Sequence, residues 1–172
     1  MRALYVGRFQ PFHLGHLEIL KRILAEYHEV IILVGSAQLS HTLENPFTAG
    51  ERIQMITETI DEEKISKRVY IIPIDDINRH SIWVTYVKSL TPSFDTVFSN
   101  EPLTIRLFTE AGHTVKQTNL VKRSEWSGTE IRRRILTDES WEKCVPLPVA
   151  RIIKEIDGIS RIKELSESDK IE

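Results

Sequence analysis

Two textures of apolar residues alternate along the chain. Short runs rich in β-branched residues, ALYV at 3–6 and EVIILVG at 29–35, end at glycine, as strands buried on both faces of a sheet do. Between them Leu17, Leu20, Leu24 and Tyr27 recur at steps of three and four, the stripe of an amphipathic helix. Strand, helix and strand within about thirty residues make a βαβ unit. The alternation continues with a helix over 48–60, where Thr48 and Glu51 form a capping-box signature and Ile53, Ile56 and Ile60 share a face. A strand follows at 68–74, a helix at 81–90, a strand at 96–99, a helix at 102–111 and a strand at 113–118. The next helix starts near Ser127, where SGTE places Glu130 three residues on as a second capping box.

This order predicts an α/β fold, an open and mostly parallel sheet with helices on both faces. Ligands of such sheets bind beyond the C-terminal strand ends, where the strand order reverses. Residues 1–136 are expected to form this domain, and residues 137–172 a small helical C-terminal extension packed on it, with a polar, frayed SESDKIE end.

Composition removes several classes of function. At 172 residues, 41% hydrophobic and 28% charged, the chain suits a soluble globular protein. A net charge of -2 offers no general attraction to nucleic acid or an anionic membrane, so any anion site must be local. The single cysteine, Cys144, excludes an intrachain disulfide and a cysteine-based zinc cluster. No apolar stretch is long enough to span a bilayer and no signal-peptide pattern precedes GRFQPFH, so a cytoplasmic location is expected.

Chemistry concentrates in GRFQPFHLGH, directly behind the first strand. Gly7 is expected to take backbone angles other residues resist, Pro11 to stiffen the loop, and Gly15 to let the backbone approach a ligand. A helix start offers unpaired N–H groups and a positive dipole end. His13 and His16 can add donors and, as imidazolium, charge, while Arg8 brings a planar fork. The histidines could also cap or pack locally, or form an H-x-x-H metal pair, although no third ligand completes a zinc site. In WSGTEIRRR at 126–134, Ser127 and Thr129 sit at a second helix start, with Arg132 one turn on. An ordinary capped helix with a basic face is the simpler alternative there.

The first motif resembles the H-x-G-H signature of nucleotidyltransferases. With Arg8, Gln10 and Pro11 inside it, the wording is similar to that of archaeal-type nicotinamide mononucleotide adenylyltransferases. The second resembles the S-x-T-x-x-R element that closes over the triphosphate in the same superfamily. Weaker likenesses connect them: GSAQLSHT at 35–42, NPFTAGERI at 45–53, and DDINRHSIWV at 75–84. His80 and FSNEP at 98–102 depart from the expected wording.

The resemblance implies a Rossmann-like fold and transfer of AMP from ATP to nicotinamide mononucleotide, giving NAD and pyrophosphate. It places His16 on the α-phosphate and His13 and Arg8 on neighbouring oxygens. Ser127, Thr129 and Arg132 would hold the β- and γ-phosphates. Gly7, Phe9 and Gly15 join the nucleotide-binding set, Arg52 a phosphate, and Asp76 and Trp83 the acceptor pocket. Trp83 would stack on the pyridine ring or, equally, serve as plain helix core. Magnesium is expected through the substrate phosphates and water rather than a protein-held site, and a homo-oligomer, with a hexamer as one form, is implied. Other acceptors, nicotinate mononucleotide, phosphopantetheine or an alcohol phosphate with CTP, define related enzymes. A nucleotide sensor without turnover is the alternative of a different class.

Overall fold

A computed structural model describes residues 1–118 and 124–168. Five strands, β1 (Arg2–Gly7), β2 (Glu29–Val34), β3 (Val69–Pro73), β4 (Thr96–Phe98) and β5 (Thr114–Lys116), form one sheet in the order β3-β2-β1-β4-β5. Every pairing is parallel. The chain builds outward from β1 to β3 on one side, then returns to build β4 and β5 on the other. The order therefore reverses between β1 and β4, and a crevice opens beyond their C-terminal ends.

The continuous apolar runs of β1 and β2 serve two cores at once. Ala3, Tyr5, Val30, Ile32 and Val34 point to one face, while Leu4, Ile31 and Leu33 point to the other. This is the period-two alternation of a strand, hidden in the sequence because both faces are dry. Helices α1 (Leu14–Glu26) and α2 (Ala49–Glu62) cover the first face. Helices α3 (His80–Leu90) and α4 (Pro102–Glu110) cover the second through Val84, Val87 and Phe108. Helix α5 (Gly128–Leu136) joins the first face through Ile131 and Ile135.

After α5 come a 3-10 turn at Glu142–Cys144 and helices α6 (Leu147–Glu155) and α7 (Gly158–Ser168). Trp141, Val149, Ile152, Ile153 and Ile162 enter the same cluster as α1, α2 and α5. Of the terminal SESDKIE, residues 166–168 are the last turn of α7 rather than frayed chain, and 169–172 lie outside the described residues. No helix among the described residues is long and apolar enough to cross a membrane.

Three local expectations are corrected. The α2 capping box forms with Thr48 and Glu51, but the buried face of that helix is Arg52, Met55, Ile56, Thr59 and Ile60, with Ile53 half-buried. At α5 only half of the box forms: the Ser127 hydroxyl accepts from the Glu130 N–H at 3.2 Å. The Glu130 carboxylate turns instead to Arg133 and Arg134, at 2.8 Å each. Gly7 has no left-handed backbone angle. Its missing side chain makes room for the Phe9 ring, since a Cβ would lie 2.8 Å from Phe9 Cζ.

One ion pair ties α7 to α2. Arg161 Nη1 and Nη2 reach the Glu51 carboxylate at 2.7 and 2.9 Å, both side chains about four-fifths buried. Burial opposes the charge on Glu51, but hydrogen bonds from Arg161 and Thr48 outweigh it and hold the carboxyl below its usual value. Arg161→Ala is expected to lower stability at neutral pH by about 1–2 kcal/mol in urea denaturation. A carboxyl with a depressed folded value stabilises above its unfolded value and loses that contribution as pH falls through the folded one. The difference between variant and parent should therefore shrink on acidification below the ordinary carboxylate range.

Candidate active site

The crevice beyond β1 and β4 is a cavity of about 800 Å³. Gly7, Arg8, His13, Gly15 and His16 line it from the first motif, and Trp126 and Ser127 from the second. Gly35 and Ser36 contribute from the loop after β2, and Asp76, Ile77, Asn78, His80 and Trp83 from the approach to α3. The approach to α4 supplies Ser99, Asn100, Glu101 and Pro102.

His13 is the N-cap of α1 and His16 its third residue. The His13 ring Nδ1 accepts from the His16 N–H, and the His16 Nδ1 accepts from the His13 N–H, each at 3.3 Å. This is a capping box made of two imidazoles, with the rings stacked at 3.5 Å. The expected capping role is thus real, and it sets the chemistry. With each Nδ1 lone pair engaged by a backbone donor, the ring proton resides on Nε2, so each ring presents Nε2–H as its donor.

The expected imidazolium charge is corrected. Burial pulls His13 down to about 3, and burial followed by the neighbouring His13 pulls His16 well below its ordinary value. His16 keeps a partly solvent-touching edge at the cavity floor, yet the rings of Phe9 at 4.8 Å and Phe12 at 5.6 Å crowd it. Two neutral donors stand at the mouth of α1. The anion site is also smaller than a bare helix start, because the His16 N–H is already taken. Gly15 is needed for closeness: a Cβ would stand 3.1 Å from the His13 ring and 3.4 Å from the Trp126 carbonyl.

The second motif docks on the first. Arg132 Nη1 donates to the Gln10 carbonyl at 2.7 Å, and a Cβ on Gly128 would meet that same oxygen at 2.8 Å. Arg132 and Thr129 are not part of the cavity lining; Arg132 is turned onto the loop of the first motif, beside Thr129 Oγ1 at 3.5 Å. Burial and the nearby Arg8 charge lower the Arg132 guanidinium from its ordinary value, and Glu44 opposes them. Ser127 does line the cavity, its hydroxyl accepting from Glu130 N–H and keeping its own proton for a ligand.

Two more expectations change. Phe9 is 1% exposed and packs edge-on against Tyr5 and His16, so it shapes the floor without meeting a ligand. Arg52 is fully buried and spends its donors on backbone carbonyls, which removes it as a phosphate contact. Trp83 packs edge-on against Phe108 at 5.5 Å, as a helix-core residue does, and also lines the cavity. Asp76 lines the same end, its backbone held by Gln38, whose Oε1 accepts from the Asp76 N–H at 3.0 Å.

Glu101 escaped sequence reasoning. Its carboxylate caps α4 through Leu103 and Thr104 N–H groups, and Pro102 behind it was the signal, since proline favours the first turn of a helix. Among the described residues, no group of three or more His, Cys, Asp or Glu is placed to hold a metal ion.

A parallel sheet whose crevice joins a donor-rich strand-to-helix loop with a second helix start is the site of a nucleotide-handling transferase. The likeness to known proteins agrees. Residues 4–134 match the cytidylyltransferase-like family, and the chain belongs to it. A nicotinamide-nucleotide adenylyltransferase of Archaeoglobus fulgidus is 57% identical over 98% of this chain and 99% of its own length. One from Picrophilus torridus is 56% identical over 99% and 100%. A bifunctional NMN adenylyltransferase/ADP ribose pyrophosphatase of Francisella tularensis, solved with AMP and a manganese ion, superposes with a TM-score of 0.77 at 22% identity. It covers 99% of this chain, which spans only 53% of that protein, and at that identity the likeness speaks for the fold.

The imidazole tautomers are open to direct measurement. Nitrogen-resolved NMR of the free protein should show both rings neutral with the proton on Nε2 from pH 8 down to pH 5. A midpoint near the ordinary histidine value of about 6.5 for either ring would contradict the burial that holds them neutral.

Proposed function

We propose that this chain is a nicotinamide-nucleotide adenylyltransferase that moves AMP from ATP to nicotinamide mononucleotide, forming NAD and releasing pyrophosphate. The observation that carries the reading is the stacked His13–His16 pair, whose two Nε2–H donors stand at the start of α1 with Ser127 and Arg8 on the same cavity. Its full-length relatives carry the same activity in their names.

A phosphate oxygen of the acceptor attacks the α-phosphorus of ATP in line. A new P–O bond forms as the bond to the β-phosphate oxygen breaks, and the pyrophosphate leaves with the electron pair. No covalent intermediate is needed, because the acceptor phosphate is already ionised. Cys144, the only thiol, is buried against Arg134 at 3.1 Å and lies outside the cavity lining. Catalysis is then alignment plus stabilisation of charge gathering on the phosphates. His16 donates to the α-phosphate, His13 and Arg8 to adjacent oxygens, and the Ser127 hydroxyl to the leaving end. Thr129 and Arg132 act from behind, Arg132 by fixing the Gln10 carbonyl of the phosphate loop.

The donor set fits an anion that brings its own cation. Among the described residues no carboxylate cage would hold magnesium, which would come with the triphosphate and, when bound, would supply further charge neutralisation. At the acceptor end, Trp83 offers a face for the cationic pyridine ring. Asp76 supports nicotinamide over nicotinate, since a carboxylate can accept from a carboxamide but repels a second carboxylate. A cytoplasmic location, assembly into a homo-oligomer and residues 137–172 as an extension of a single domain complete the proposal.

The test is to supply ATP, magnesium and, separately, nicotinamide mononucleotide, nicotinate mononucleotide and phosphopantetheine, then separate the products. NAD and pyrophosphate should form. His16→Ala, still folded, should lower kcat by about two to three orders of magnitude. Trp83→Ala should raise KM for nicotinamide mononucleotide by on the order of tenfold while leaving KM for ATP nearly unchanged. Tight nucleotide binding with no product from any acceptor would leave a sensor in place of the enzyme.

A further inference from the structure

We propose that Arg52 is a positioning residue for this transfer, setting the spacing between the phosphate loop after β1 and the loop after β2 without touching either substrate. The proposal rests on the adenylyltransferase reading. Nη1 of Arg52 donates to the Arg8 and Gly35 carbonyls, each at 2.8 Å, and Nη2 donates to the Ser36 carbonyl at 3.0 Å. Nε returns to the Thr48 carbonyl at 3.2 Å, fixing the guanidinium to the start of its own helix. Three separate segments therefore meet on one planar group, and the residues whose carbonyls it holds beyond β1 and β2, Arg8, Gly35 and Ser36, all line the cavity.

The chemistry of the side chain argues for this role over simple packing. Arg52 is 0% exposed, and no carboxylate lies within ion-pairing distance among the described residues. Burying a cation is expensive, and an apolar side chain of similar size often fills such a space at no loss of stability. Burial first, then the Arg8 charge, pull the guanidinium down to about 10, while Asp76 opposes them, so it remains cationic at neutral pH. What an apolar residue cannot do is satisfy three carbonyls on two loops at fixed separation. Ser36 adds a second sign of constraint, with a φ of 50° in the left-handed region that a serine seldom adopts. Gly35 N–H also donates to the Gly7 carbonyl at 2.9 Å, so the two loops already touch and Arg52 closes the second link. A lysine would keep the charge but lose the planar fork.

The experiment is a double-mutant cycle in the full chain, using Arg52→Lys and Arg8→Ala, with kcat and both KM values measured well below each melting transition. The parent must first make NAD; failure at that step overturns the reaction itself, before Arg52 is in question. Arg52→Lys, folded by circular dichroism, should lower kcat by on the order of tenfold or more, as small misplacements of reacting groups do. Adding Arg8→Ala to it should cost much less than Arg8→Ala costs alone, because the lysine variant has already lost the placement of Arg8. Losses that multiply would mark a general structural role and overturn the proposal. So would a kcat within about twofold of the parent. Arg52→Met, which fills the space without charge, repeats the cycle if the lysine variant does not fold. Collapse of both variants at every temperature tested would assign Arg52 to stability alone.

Discussion

Backbone carbonyls that leave a parallel sheet have no ladder partner, and the crevice of this protein depends on how they are satisfied. Beyond β1 and β2 the chain must turn within a few residues, exposing oxygens that cannot be left dry and unpaired. Side chains supply the donors. Arg52 takes the Arg8, Gly35 and Ser36 carbonyls, Arg132 takes Gln10, and the Gln10 amide pairs in both directions with the Phe47 backbone at 2.9 and 3.1 Å. Loops that would otherwise sample many shapes are held in one.

That scaffold explains how a chain of net charge -2 can offer a site for polyanions. Little of the pull comes from mobile surface charge. Two histidines held neutral by burial present oriented N–H groups, a capped helix start adds its dipole, and Arg8 supplies a charge at the rim. Donors fixed before the ligand arrives need no reorganisation when charge builds on a phosphate. The imidazole capping box has a double function in this respect: it ends the helix and, by engaging each Nδ1, selects the tautomer that points a proton outward.

Much of the architecture was legible from periodicity. The runs at 3–6 and 29–35 became β1 and β2, and the i, i+3, i+4 stripe through Leu17, Leu20 and Leu24 became the buried face of α1. The Thr48–Glu51 box was legible because capping is a contact between near neighbours. The Ser127–Glu130 box was half wrong because near neighbours compete for one carboxylate: Arg133 and Arg134, three and four residues on, are stronger partners for Glu130 than a backbone amide. Arg52 was misread as a ligand contact because its partners lie on loops 16 to 44 residues away, and a sequence does not show which side of a helix faces inward when an arginine occupies the buried stripe.

By itself the sequence determined the alternating α/β order, the place of the crevice, and the two motifs that line or brace it. These follow from local spacing: residues close in the chain fix a helix cap, a strand or a strand-to-helix turn. Only the tertiary structure decided the electrical state and the division of labour within those motifs. Burial made the histidines neutral donors, the docking of α5 on the first loop turned Arg132 toward Gln10, and closure of two loops over α2 buried Arg52 behind the cavity lining. Desolvation and long-range hydrogen bonds depend on what surrounds a group in space, and that is written in no single stretch of the chain.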